Sequence, residues 1–311
     1  MVNLELFTFP SADGATQLHG RLWSCPDVTP RGVVQLVHGV REYIGRYDRF
    51  ARFLARQGFI VAGHDHLGHG ESLPRGGTPI WFAPRDGWRI VTDDVHSLHQ
   101  KLCRDYPGLP CFILGHSMGS FITRSLLIRY PGCVDGAIIM GSGWNSEAAI
   151  AGGRAVTAVI AAVKGKRASS DFVSALAFGS FNKPFAPNRT DFDWIAADEQ
   201  AVDRYIADPK CGEDATVGLF QDMLGGFHFL QHPRNLRQMD SATPILFISG
   251  SDDPVGAMGR GVEKSAAAFR NAGVKDVTVI LCPGMRHEVL NEADAPEAVD
   301  APILRWLEAH L

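Results

Sequence analysis

The stretch from Cys111 to Leu127 constrains the fold more than any other part of the chain. An apolar run, Cys111 to Leu114, enters Gly115-His116-Ser117-Met118-Gly119 and passes directly into a helical pattern, Phe121 to Leu127. A short buried strand, a small-residue turn and a helix in immediate succession are the setting that a strained serine turn of the G-x-S-x-G type requires. The two glycines leave room for facing backbone that a Cβ would occupy. The serine is lifted out of the sheet at a helix N-terminus, where backbone N–H groups and the helix dipole favour nearby negative charge. Ser117 is therefore a candidate acyl-transfer nucleophile.

A serine hydroxyl needs a base to take its proton, and the base needs an acid to hold it. In a sheet of this kind the acid and then the histidine should follow the serine, each just past its own strand. The apolar strand Thr243 to Ser249 ends in Gly250-Ser251-Asp252-Asp253, and Val277 to Leu281 ends in Pro283-Gly284-Met285-Arg286-His287. Both candidates fall at the carboxyl edge, where open α/β sheets collect their sites. His287 is the candidate base. Asp252 and Asp253 are adjacent, and in extended backbone only one of two neighbours faces a given partner. A third buried strand, Gly32 to Val37, runs into His38-Gly39-Val40. The backbone N–H groups of Val40 and Met118 are the expected oxyanion donors. His38 reads as a loop-shaping side chain bonded to nearby backbone.

The rest of the chain supports an α/β architecture. Strands are expected near Leu4–Phe9, Leu18–Trp23, Val33–Val37, Phe59–Ala62, Cys111–Leu114 and Ala137–Met140, with helices near Tyr47–Gln57 and Trp88–Tyr106. Strands this apolar have no wet face, so the sheet should be mostly parallel and flanked by helices on both sides. The strands from Pro244 and Val277 and a helix near Ala295–His310 complete it. Strand signals vanish between Gly143 and about Gln238. Residues 1–143 and 239–311 are expected to form the core domain, with a helical cap, 144–238, inserted between two core strands. Ser169-Ser170-Asp171 resembles an N-cap, and Asp198–Ile206 and Thr216–Leu224 read as further helices. The apolar run Ile150–Val163 fits a helix packed into the core better than one lying at a membrane surface. The cap is rich in aromatic residues, and a lid over the serine suggests a covered apolar site.

Net charge is −4, with no basic block, which argues against nucleic acid as a partner. The 12 histidines and six cysteines form no spaced ligand motif, so neither a metal nor another cofactor is expected. No run reaches the ~20 apolar residues a membrane span needs, although transient membrane contact stays open. Met1 to Phe9 alternates like a strand and has no secretory pattern. With scattered cysteines, this suggests a cytoplasmic protein with reduced thiols.

Several separated segments together resemble the monoacylglycerol lipase and lysophospholipase branch of the α/β-hydrolases, of the serine aminopeptidase S33 type. They are His38-Gly39 with Glu42, Arg46-Tyr47, Asp65-His66-Leu67-Gly68-His69-Gly70-Glu71-Ser72, Gly115-His116-Ser117-Met118-Gly119, Gly250-Ser251-Asp252-Asp253 and His287. The resemblance implies an α/β-hydrolase fold and a Ser117–His287–Asp253 triad, because the family's acid stands three residues after the glycine that ends the strand. It makes 65–72 a structural loop. It also implies cleavage of a simple carboxylic ester, such as a monoacylglycerol or lysophospholipid with an acyl chain. Two residues depart from the family: Arg41 stands where glycine is usual, and Tyr43 where histidine is frequent. Arg41, Phe178, Phe181 and Trp194 are candidate substrate contacts. The rivals are an amidase, peptidase or perhydrolase on the same framework, and a non-catalytic ligand-binding homologue. A peptidase would want an acidic pocket. Asp191, Asp193, Asp198, Glu199 and Asp203 are available in the cap, but read more simply as solvated helix faces.

Overall fold

The computed structural model describes residues 1–311. One eight-stranded sheet runs through it in the order β1-β2-β4-β3-β5-β6-β7-β8. The strands are β1 (Asn3–Pro10), β2 (Gln17–Ser24), β3 (Gly32–Val37), β4 (Phe59–His64), β5 (Cys111–His116), β6 (Gly136–Met140), β7 (Ile245–Gly250) and β8 (Val277–Cys282). β1 pairs antiparallel with β2, and β2 antiparallel with β4; the other neighbours are parallel. Every residue of β3, β4, β5, β6 and β7 is buried, as expected for strands covered on both faces. The period of two then divides each strand between two cores. Phe112 and Leu114 of β5 pack with Phe50 and Leu54 of helix α1 (Asp48–Arg56) and with Ile303 and Leu307 of α10 (Ala301–Glu308). Ile113 faces the opposite core with Val91 and Val95 of α2 (Gly87–Asp105), Ile122 of α3 (Met118–Arg129) and Phe269 of α9 (Arg260–Ala272).

Five helices lie between β6 and β7: α4 (Glu147–Lys164), α5 (Asp171–Phe178), α6 (Glu199–Ala207), α7 (Val217–Gln231) and α8 (Pro233–Leu236). Their starts are written locally. Ser146 Oγ accepts from the Ala149 N–H, Asp198 from Gln200 and Thr216 Oγ1 from Leu219, each relieving an orphan donor of the first turn. Ser170 occupies the N-cap position of α5, but its side chain makes no capping bond. α7 runs a further two turns beyond Leu224. The last helix is preceded by a wider turn, Pro296–Asp300.

The expectation of a core-packed helix over Ile150–Val163 is wrong. Only Ile150 and Thr157 of α4 are buried, and Val159 and Val163 are 66% and 80% exposed. The helix lays one stripe over a cavity and leaves the other in solvent. An apolar sequence does not distinguish that arrangement from burial all round. Asp193 is not solvated either. It is buried, and it accepts from the backbone N–H groups of Arg189 and Thr190 and from Thr190 Oγ1.

Candidate active site

Three strand ends place the site. β5 stops at His116, and Ser117 follows at φ 52°, ψ −122°, a region that non-glycine residues rarely occupy and that marks functional turns. A Cβ on Gly119 would collide with the Val37 and His38 carbonyl oxygens, and one on Gly115 with the Gly119 carbonyl. The turn therefore closes only with glycine at both positions. The Ser117 N–H donates to the Met140 carbonyl at 3.0 Å, which ties the turn to β6. Met118 opens α3, where the first N–H groups have no acceptor within the helix.

Past β7, Asp253 is fully buried. It accepts from Ser249 Oγ at 3.0 Å and from the Val255 N–H at 2.9 Å, and both its oxygens lie 3.1 Å from His287 Nδ1. Burial alone would raise this carboxyl. The charge and hydrogen bond of His287, with the Val255 and Ser249 donors, hold it below the ordinary carboxylate range instead. Asp252 is exposed and takes a hydrogen bond from Ser251 Oγ. With Nδ1 engaged on Asp253, the imidazole has Nε2 available to accept a proton. Ser117 and His287 line the same cavity. No hydrogen bond joins Ser117 Oγ to the ring, a separation common in substrate-free sites.

Past β3, His38 Nε2 accepts from the His66 N–H at 2.9 Å, so Nδ1 carries the proton and donates to the Gly39 carbonyl at 2.7 Å. This histidine shapes the loop. The Gly39 N–H is taken by Glu42 Oε1 at 2.6 Å, whereas the Val40 N–H has no partner. Arg41 follows at φ 63°.

A polar network beneath the site was not read from the sequence. Glu42 is buried and accepts from Gly39, from Tyr47 Oη at 2.9 Å and from Arg46 at 3.0 Å, and it faces His116 Nδ1 at 3.1 Å. Arg46 also grips Glu288 through two bonds of 2.6 and 2.7 Å. The other nitrogen of His116 lies 3.2 Å from the His287 carbonyl. Both ring nitrogens therefore face acceptors, which only the doubly protonated ring satisfies. Burial would lower its pKa, but the bond to Glu42 and that carboxylate's charge outweigh burial and raise it. Glu42 is held well below the usual range, against its own burial, by His116 and Arg46. The available signal was the histidine inside the serine turn together with the Glu42–Arg46 spacing.

The cavity has a volume of about 680 Å³, within the range of small-molecule sites. Hydrophobic residues make up 22 of its 33 lining residues, so it suits a chain more than a polar ligand. Arg41, Phe178, Phe181 and Trp194 all line it, as do Phe192, Phe220 and Phe227, whereas Phe172, Phe185 and Phe229 do not. Trp194 lies 5.2 Å from the His287 ring. Trp144, Ile150, Val156, Met223 and Val255 complete the apolar wall, and Arg41, Glu42, His116 and Glu288 form a polar end. No group of three His, Cys, Asp or Glu side chains is arranged to hold a metal.

This geometry can be set beside known proteins. The monoacylglycerol lipase of Mycolicibacterium smegmatis is 30% identical over 302 residues, covering 96% of this chain and 95% of that protein. Human monoglyceride lipase is 35% identical over 137 residues, covering 42% of this chain and 40% of that one. A thermostable carboxyl esterase from Bacillus coagulans, solved in complex with glycerol, superposes with a TM-score of 0.91 at 26% identity over 98% of both chains. The family model described as serine aminopeptidase, S33, matches residues 28–294. The chain belongs to this serine aminopeptidase S33 family and has the α/β-hydrolase fold.

Proposed function

We propose that this protein is a serine hydrolase of carboxylic esters, of the monoacylglycerol lipase or lysophospholipase type. The observation that carries the reading is the convergence of a strained serine turn and a buried His–Asp pair on one apolar cavity. In this reading Ser117 attacks the ester carbonyl while His287 Nε2 takes its proton. Asp253 keeps Nδ1 protonated and offsets the charge that develops on the ring. The tetrahedral oxyanion accepts from the Val40 and Met118 N–H groups. His287 then protonates the leaving alcohol, and water repeats the sequence on the acyl-enzyme.

The apolar wall suits an acyl chain, and residues 144–238 act as the cap over it. Phe178, Phe181 and Trp194 contact the substrate, whereas Arg41, the fourth candidate, borders the cavity with its guanidinium engaged on the Gly212 carbonyl and close to Asp214. The names of the relatives, a monoacylglycerol lipase and an esterase holding glycerol, favour a glycerol ester with one acyl chain. The exposed apolar side chains of α4 and α5, Val159, Val163, Phe172 and Leu176, suit transient contact with a lipid surface. No helix is long and apolar enough to cross a membrane. Six unpaired cysteines fit a reducing compartment such as the cytoplasm. A peptidase would want a free carboxylate for the substrate amine. Glu42 and Glu288 stand at the polar end of the cavity, but both are held by Arg46.

The test is a substrate panel. Hydrolysis is measured for p-nitrophenyl esters of increasing acyl length, then for monoacylglycerol, lysophosphatidylcholine and aminoacyl amides, in the wild type and in Ser117→Ala. Turnover of esters that is lost in Ser117→Ala supports the proposal. Turnover of amides alone would refute it.

A further inference from the structure

The two residues that depart from the family pattern both reach the same cap segment. Arg41 adopts a left-handed backbone conformation, φ 63°, immediately after Val40. Glycine adopts this conformation freely, whereas an arginine needs the surrounding structure to hold it there. The holding contacts come from the cap side. The Arg41 carbonyl accepts from the Gly212 N–H at 3.0 Å and from Tyr205 Oη at 3.2 Å. The Arg41 guanidinium donates back to the Gly212 carbonyl and lies 3.5 Å from Asp214. Tyr43 Oη donates to Asp208 at 2.9 Å, and Lys210 bonds Glu71 of the neighbouring loop. On the core side the loop is anchored by the Gly39 N–H on Glu42. The turn carrying the Val40 N–H is thus clamped between Glu42 below and residues 205–214 above.

We propose that Arg41 is a positioning residue: through Gly212 and Tyr205, the cap holds the Val40 turn in the conformation that presents its N–H to the reacting carbonyl, so the cap completes the oxyanion hole. This rests on the reading of Val40 as an oxyanion donor. A loop built with glycine could adopt this turn without strain and without a cap to hold it there. This chain gives up that freedom and makes the turn depend on a docked cap. Catalytic competence is therefore coupled to cap position through two residues that do not react.

The test compares Arg41→Gly with Arg41→Ala. Alanine removes the side-chain clamp and keeps the conformational cost, whereas glycine removes both. With p-nitrophenyl butyrate, Arg41→Ala should lower kcat about 10- to 100-fold, the range set by one strained residue and bounded by the loss of one donor. KM should change by less than about threefold, since differential stabilisation of the transition state acts on kcat. Arg41→Gly should return kcat to within about threefold of wild type. Tyr205→Phe, which removes one holding contact from the cap side, should fall between them. Binding of a trifluoromethyl ketone, which forms the same oxyanion on the serine, should follow kcat across the series.

Equal losses in the alanine and glycine variants would overturn the proposal and make the guanidinium itself a substrate contact. Wild-type kcat in all three variants would overturn it too. Retained kcat with unchanged ketone affinity in Arg41→Ala, alongside loss of activity in Ser117→Ala, would locate the failure in the positioning role alone. Absence of ester turnover and of covalent labelling at Ser117 in the wild type would instead refute the underlying hydrolase reading. Thermal melts of each variant separate these outcomes from a folding defect.

Discussion

At the scale of single residues, the two adjacent aspartates give the sharpest contrast. Asp253 is buried on His287, and its neighbour Asp252 is exposed. Asp253→Asn should lower kcat by about 10⁴, since the amide no longer enforces the required tautomer, while Asp252→Asn should stay within about twofold, as surface changes do. Steady-state kinetics on one ester distinguishes them, and the reverse order would assign the acid to Asp252. His116 supplies a second residue-level expectation. Its two nitrogens face Glu42 and the His287 carbonyl, so at pH 7 its ring should show two nitrogen-bound protons in ¹⁵N-edited spectra. A single ring proton would mean that Glu42 or the carbonyl lacks its donor. His116→Ala leaves part of that buried carboxylate unpaired and should destabilise the fold by about 1–3 kcal/mol, read from denaturant midpoints.

At the scale of elements, the strands were largely legible. β3, β5, β6 and β7 are buried on both faces and read as continuous apolar runs, and the serine turn needed its glycines for reasons visible in the string. Contacts between distant segments were not legible. Glu42 and His116 are 74 residues apart and His116 and His287 are 171 apart, and no local pattern announces that three such groups meet. α4 failed for a different reason: its apolar composition was clear, but what each stripe faces depends on tertiary packing. That exposed stripe leads to a prediction. Val159→Glu with Val163→Glu should weaken sedimentation with phospholipid vesicles by at least about tenfold, by removing two apolar side chains from the contact. Since both positions are largely exposed, stability should move by less than about 0.5 kcal/mol each, and turnover of a soluble short ester should be unaffected. Unchanged vesicle binding would exclude this face as the point of contact.

At the scale of the whole molecule, the buried titratable groups fix how the fold responds to acid. Burial pushes His38 and His64 down to about 3 and His69 and His99 down to about 4. His66 is depressed as well, by burial and then by its imidazole neighbours. An unfolded histidine titrates near pH 6.5. As pH falls from there toward 4, the unfolded chain binds five protons that the native state refuses, and stability falls with pH. Asp94 and Asp222 act in the opposite sense. Burial raises both to about 7, so in the same window the native state holds two protons that the unfolded chain has released. His116, whose pKa is raised, keeps its proton in the native state and so opposes this slope until the unfolded ring is protonated as well. The lowered histidines outnumber the raised carboxyls, to which Asp65 and Asp300 also belong, so the net effect is a loss of stability as pH falls through 6.5 toward 5. Urea midpoints should therefore be flat from pH 8 to 7 and fall between 6.5 and 5, and a flat profile across that range would show that the cluster is already protonated in the native state. His64 isolates one share of this effect, because neither of its ring nitrogens has a hydrogen-bond partner. His64→Leu should remove about one proton from the slope, roughly 1.4 kcal/mol per pH unit, and leave the acid sensitivity of the other four rings in place.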